Sequence, residues 1–424
     1  MLIEFRVENH RSIRDEQAIT MEAGLVEDFA DLRPRQEIGL DKKLLPVAAL
    51  YGANASGKTN VLRAIDFMRD SVIQSHRSWA PDEGVPRSPF ALGSKREQPS
   101  EYVACFITKE VRYEYGFIVN DEFFEEEWLF AWPQGRKQVW FERDASRYKF
   151  GDNFHGENHV TQKITRPNSL FLSAAVQNSN EQLKPIHKWF RDLRIHNVPA
   201  SHKRGFAYFT NHFALAQLFD VEKPSTPSHR KMMSELLVSF RTLLKSADFG
   251  IVDAKAEYDE KKENSGRYKP PRFVFRHDSE GNEVWLPLEA ESRGTQTLFR
   301  MALPILQVIK SGSILVIDEL EASLHPMLAA QIVRQFNDPI SNPNNAQLIF
   351  TTHDTNLLGT ALGEPLLRRD QVWFTEKDKE GSTVLYPLTD YKPRKAENLE
   401  RGYLQGRYGA IPFLGDLRFG KELR

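Results

Sequence analysis

Apolar and polar positions alternate along Leu2-Ile3-Glu4-Phe5-Arg6-Val7-Glu8, as in a strand with one buried face, and residues 17–21 are patterned to pair with it. Leu45-Pro46-Val47-Ala48-Ala49-Leu50-Tyr51 is almost wholly apolar, which predicts a central strand covered on both sides. Residues 60–68 switch to helical spacing, so strand, glycine-containing loop and helix follow one another. Pro81, Pro86, Pro89 and Pro99 mark an irregular connection. Strand patterning resumes at 101–108, 113–119, 126–130 and 138–143, with a locally acidic run at 121–127 that reads as a solvated hairpin. Helical spacing dominates from about 178 to 247, at 183–193, 213–219 and 232–244, and breaks around Pro224, Ser225 and Pro227. Strands are expected again at 249–258, 271–277, 371–376 and 382–388, before a basic, Gly-rich stretch at 401–409. Repeats, low-complexity segments and sustained heptads are missing, which argues against coiled-coil arms.

Composition narrows the class without naming a chemistry. A chain of 424 residues with 28 Phe can bury a large core, as one main domain with a lobe or insertion. Its net charge of −1 gives no global attraction to nucleic acid, so only local patches can argue for it. Cys105 stands alone, which excludes an intramolecular disulfide or a cysteine metal cage; its alternating surroundings suit a buried strand position. No apolar run nears the roughly 18–20 residues that span a bilayer, and charges come too early after Met1 for a signal peptide. A soluble, cytoplasmic protein without a membrane partner is expected.

The loop Gly52-Ala53-Asn54-Ala55-Ser56-Gly57-Lys58-Thr59 fits the Walker A pattern between its strand and helix. Glycines let successive backbone N–H groups converge on phosphate oxygens at a helix N-terminus. Lys58 would reach the β- and γ-phosphates of a nucleoside triphosphate, and the Thr59 hydroxyl would ligate Mg²⁺. Downstream, Ile314-Leu315-Val316-Ile317-Asp318-Glu319 sets two carboxylates at the end of an aliphatic strand, where open α/β sheets bind ligands. Asp318 would hold Mg²⁺, and Glu319 would orient and deprotonate the attacking water. A third aliphatic run ends in Thr351-Thr352-His353, where His353 could hydrogen-bond the γ-phosphate or the water.

With Ser292-Arg293-Gly294-Thr295-Gln296 added, this ordered set resembles the ABC-type ATPase fold of the RecF, SMC and OLD-nuclease relatives. It is most similar to the RloA-like AAA ATPases of bacterial anti-phage systems. The resemblance covers about residues 1–70 and 270–415. It implies an α/β fold with a mixed central sheet, flanking helices, an antiparallel β subdomain and a helical insertion. Residues 1–175 and 249–370 would be the two parts of the ATPase domain, 176–248 the helical insertion, and 371–424 a strand pair with its tail.

The resemblance also implies ATP and Mg²⁺ as cofactors. Asn9-His10-Arg11-Ser12 is similar to the family's Asn-Phe-Arg-Ser turn, making Arg11 a candidate ATP contact; a polar turn is the plainer reading. Ser292 to Gln296 is similar to the ABC signature, which in such folds closes on the ATP of a second subunit. A homodimer or higher homo-oligomer sandwiching ATP follows. Arg293 departs from the transporter pattern and is either a charge donor to the γ-phosphate or a surface salt bridge. Leu320-Glu321-Ala322-Ser323-Leu324-His325-Pro326 matches the loop that meets its counterpart across the dimer. The family's glutamine contact could be Gln98, Gln162 or Gln177.

Two further clusters remain open. Lys184, His187, Lys188, Arg191, Arg194, His196, His202, Lys203 and Arg204, with Trp189 and Phe190 interleaved, could track a nucleic-acid backbone or form a solvated helix face. His155-Gly156-Glu157-Asn158-His159 has metal-ligand residues in a loop-like context. OLD relatives carry a TOPRIM nuclease domain, but Glu376-Lys377-Asp378 lacks a following Asp-x-Asp pair. The expectation is therefore an ATPase that senses or scaffolds, with a separate nuclease or toxin as effector. The alternative is a nucleotide-gated DNA-binding module.

Overall fold

The computed structural model describes residues 1–24, 31–199, 215–219, 226–247, 250–258, 271–279, 282–361, 363, 365–392 and 397–412. Seven strands form an antiparallel sheet: β1 (Leu2–Glu8), β2 (Gln17–Thr20), β4 (Ser100–Thr108), β5 (Val111–Val119), β6 (Phe124–Trp132), β7 (Gln138–Asp144) and β8 (Arg147–Phe150), in the order β2-β1-β4-β5-β6-β7-β8. A second sheet of six combines β3 (Val47–Gly52), β9 (Arg194–His196), β13 (Ile314–Ile317), β14 (Gln347–Thr351), β15 (Val372–Lys377) and β16 (Thr383–Pro387). Its order is β16-β15-β3-β14-β13-β9, parallel except for the β15–β16 hairpin. A small antiparallel sheet holds β10 (Asp253–Glu257), β11 (Arg272–Ser279) and β12 (Asn282–Pro287).

The six-stranded sheet is the middle layer, which explains its unbroken apolar strands. Side chains alternate across a strand, so β3 sends Ala48 and Leu50 to one face and Val47, Ala49 and Tyr51 to the other. The first set joins Val61, Leu62, Ile65 and Met68 of the helix Lys58–Gln74 and the inner face of the seven-stranded sheet. The second joins Phe240, Phe299 and Val333, from the helices Pro227–Ala247, Arg293–Ser311 and Pro326–Asn337. This is the mixed α/β P-loop fold expected from the sequence, with an antiparallel β layer against it.

This one sheet draws strands from each of the four expected segments. Arg194–His196, inside the segment assigned to a helical insertion, is strand β9 beside β13. The 371–388 pair joins the same sheet, where β15 runs parallel to β3. The 121–127 run is not wholly solvated. Glu127 is buried, its carboxylate accepting from the Tyr115 hydroxyl (2.9 Å) and the Phe171 and Leu172 N–H groups (2.6 and 3.0 Å). A carboxylate at the start of the helix Phe171–Gln177 is favoured by the unpaired N–H groups there.

Candidate nucleotide-binding site

The phosphate loop leaves β3 at its C-terminal end and turns into the helix Lys58–Gln74. Gly57 takes the left-handed conformation (φ 110°) that frees this turn, and Ala55 does so at φ 64°. Lys58 is buried, and its Nζ donates to the carbonyls of Gly52 (2.8 Å) and Ala53 (3.1 Å). Burial pushes its pKa down, while Asp318, Glu319 and Glu321 pull it up. Asn54 and Ala55 are exposed at the loop tip, whereas Ser56 is buried.

The parallel register brings the second half of the site to the same edge. Thr59 Oγ1 lies 3.1 and 2.9 Å from the two carboxylate oxygens of Asp318, which directly follows β13. Thr351, at the end of β14, donates to Asp318 Oδ1 at 2.6 Å and accepts the Glu319 N–H at 2.7 Å. Glu319 turns the chain outward with φ 53° and is exposed. The His353 N–H donates to Glu321 Oε1 at 2.6 Å, and the His353 ring is exposed beside the same carboxylates. Partial desolvation lowers its pKa although the residue keeps much of its surface in solvent, with Lys58 adding to the effect and Glu321 opposing it. Lys58, Thr59, Asp318, Glu319 and His353 thus converge. Thr351 and Glu321 were missed as site residues; the one signal for Thr351 is a hydroxyl ending an otherwise apolar run.

Arg11 approaches from the seven-stranded side. Its N–H donates to Ser88 O (2.7 Å), and its side chain lines a cleft of about 440 Å³ with Asn60, Arg63 and Phe90. Burial and Arg63 both depress its pKa. Ser292 to Gln296 lies elsewhere, at the start of the helix Arg293–Ser311. Ser292 caps that helix by accepting the Thr295 N–H (3.1 Å), Gln296 Nε2 donates to Glu291 O (3.0 Å), and Ser292 and Arg293 are exposed. Gly294 packs on the turn after Glu319, where an added Cβ would meet Ser323 O at 3.0 Å. Gln98 caps a short 3-10 turn, Gln162 donates to Ser146 O (3.4 Å), and Gln177 ends the helix Phe171–Gln177.

The aromatic half of the basic stretch belongs to the core. Half-buried Trp189 stacks on Phe106 at 4.1 Å and Phe190 is buried, so one face of Trp189 and the whole Phe190 ring are taken up by core packing. Lys184 pairs with Glu181 and Lys188 with Asp192; burial, then Arg300, lowers His196 to about 4. His202, Lys203 and Arg204 lie outside the described residues. His159 meets Phe150 edge-on (5.4 Å), and no group of three metal-ligating side chains occurs among the described residues. Glu376 and Asp378 bind within the C-terminal region: Glu376 accepts from the Ala410 N–H (3.2 Å), and Asp378 from the Ser382 N–H (2.7 Å).

A phosphate loop and an acidic strand end meeting at the carboxyl edge of a parallel sheet define a P-loop nucleotide-binding ATPase domain. The chain belongs to the family described as "AAA domain, putative AbiEii toxin, Type IV TA system", which it matches over residues 47–359, well over half its length. No curated protein matches it. Among solved structures, an SmcHead bound to the C-winged helix domain of ScpA is 12% identical, covering 92% of this chain and 99% of that one at a TM-score of 0.43. The SMC head domain from Thermotoga maritima is 12% identical (91% and 98% covered, TM-score 0.39). A Smc head with an extended coiled coil, bound to the C-terminal domain of ScpA derived from Pyrococcus furiosus, is 13% identical (92% and 97%, TM-score 0.40). Among the described residues no helix is long and apolar enough to cross a membrane.

Proposed function

We propose that the chain binds ATP on Gly52 to Thr59 and hydrolyses it in a site completed by a second copy. The observation that carries this reading is the bond between Thr59 and Asp318, a hydroxyl and a carboxylate on the two motifs that Mg²⁺ joins in such sites. Hard oxygen donors of this kind suit Mg²⁺, which when bound would neutralise charge on the β- and γ-phosphate oxygens. Loop N–H groups and Lys58 hold the triphosphate. Glu319 takes a proton from water as the water oxygen attacks the γ-phosphorus and the bond to the ADP oxygen breaks. His353 hydrogen-bonds the γ-phosphate or the water, and Arg11 is a further nucleotide contact. Ser292 to Gln296 of the second copy supply a hydroxyl and helix N-terminal N–H groups.

The wider role we propose is a switch in bacterial anti-phage defence, of the RloA-like kind, with a separate nuclease or toxin as effector. The family description, which names a toxin and a toxin–antitoxin system, supports the setting and favours one rival, in which this chain is itself the toxic component. Growth arrest on expression of this chain alone would establish the rival. For the chemistry, Glu319→Gln should slow turnover by about 100-fold or more and accumulate an ATP-bound dimer seen by light scattering. Unchanged hydrolysis in that variant removes Glu319 from its role.

A further inference from the structure

We infer that the β15–β16 hairpin, which lies beyond the family-matched segment, clamps the phosphate loop through Ser56, with Thr375 and Thr383 as positioning residues. This rests on the reading of residues 52–59 as the triphosphate cradle.

Each strand of the hairpin contributes one fully buried threonine. Thr375 Oγ1 lies 2.6 Å from Ser56 Oγ, and Thr383 Oγ1 donates to the Ser56 carbonyl at 2.8 Å. The direction of the second bond is fixed because a carbonyl oxygen can only accept. Asn60 Nδ2 can only donate, and it lies 2.7 Å from Ser12 Oγ. With its proton given to Ser56 O, Thr383 Oγ1 accepts the Ser12 hydroxyl proton, 2.7 Å away. A trans peptide points its C=O and N–H in opposite directions. Holding the Ser56 carbonyl against the hairpin thus turns the Gly57 N–H to the side away from it, where a phosphate oxygen would sit.

The packing leaves this arrangement little room to shift. A Cβ on Gly57 would collide with the Thr383 side chain, and one on Gly52 would collide with Thr375. The anchor is itself fixed, because the Thr383 N–H donates to Ser12 O at 2.7 Å and the Arg14 N–H to Ser382 Oγ at 3.2 Å. Arg14 also pairs with Asp378 (3.4 Å) and Glu380 at the hairpin tip. The turn around Ser12 and the hairpin therefore grip the loop from outside the segment that carries the motifs.

The test is Thr383→Val, which keeps the size and removes the hydroxyl, with Mg-ATP affinity measured by calorimetry on the full chain. The expected result is affinity weaker by about tenfold, with kcat at saturating ATP changed less than about threefold, and recovery to within about twofold in Thr383→Ser. Wild-type affinity in Thr383→Val, or a Thr383→Ser as weak as Thr383→Val, overturns the inference. Should Thr383→Val not fold, Thr375→Val carries the same test with the same expected loss of affinity, since it removes the hydroxyl that meets Ser56 Oγ. ATP affinity that Lys58→Ala leaves unchanged overturns the cradle reading itself, and the inference with it.

Discussion

The Thr351 hydroxyl donates to Asp318 Oδ1 at 2.6 Å while accepting the Glu319 N–H at 2.7 Å. One side chain thereby fixes the carboxylate that faces Thr59 and the backbone that launches Glu319 out of the strand. Removing it leaves the fold's apolar layers intact but frees both acids. Thr351→Val should lower kcat by about 10- to 100-fold with ATP affinity near wild type, and Thr351→Ser should restore most of it. A Thr351→Val enzyme with normal kcat would separate this hydroxyl from the chemistry.

Acid should weaken the protein through His10. Its ring is buried, with Nδ1 2.8 Å from the Tyr102 hydroxyl, and burial, then Arg11 and Arg63, lowers its pKa to about 3. The unfolded chain therefore binds a proton that the folded chain refuses between its unfolded value of 6.5 and about 3. Stability from this group is complete above the unfolded value and is lost as pH falls through that window. Urea unfolding should show wild type losing up to about 1.4 kcal/mol per pH unit relative to His10→Gln below that value. A difference that stays constant with pH would contradict it.

Trp189 should matter for stability rather than for nucleic acid. It stacks on Phe106 at 4.1 Å and meets Phe190 edge-on at 4.8 Å. Trp189→Ala should cost about 2–4 kcal/mol of unfolding free energy in denaturant titration. A loss of DNA affinity with unchanged stability would return this residue to the role of a base platform.

The parts of the fold that were legible are those with a long, one-signed pattern. Residues 45–51 could only be a strand covered twice, and the loop and helix after it follow from Gly57, Lys58 and helical spacing. β9 was invisible because three residues, Arg194 to His196, carry no period and owe their conformation to pairing with β13. The 371–376 strand was recognised, but a parallel partner more than 300 residues away leaves no local trace, so its place beside β3 was not. Glu127 looked like part of an acidic surface run, because the N–H groups of Phe171 and Leu172 that satisfy it come from a distant helix. The motif residues of the candidate site stand in local patterns of glycines, aliphatics and terminal polar groups. The hydroxyls that orient them, Thr351, Thr375 and Thr383, were not legible in this way, since threonine in a strand usually signals only β propensity.

In the composite site that we propose, Lys58 and Ser292 act on the same ATP from different chains. Mixing full-length Lys58→Ala with full-length Ser292→Arg, each inactive alone, tests it most directly. In a two-fold sandwich the mixed dimer keeps one intact loop facing one intact signature. Hydrolysis should then return to about a quarter of wild type, since about half the dimers are mixed and each has one working site of two. A mixture as inactive as its components, with mixed dimers shown to form, would contradict the composite site.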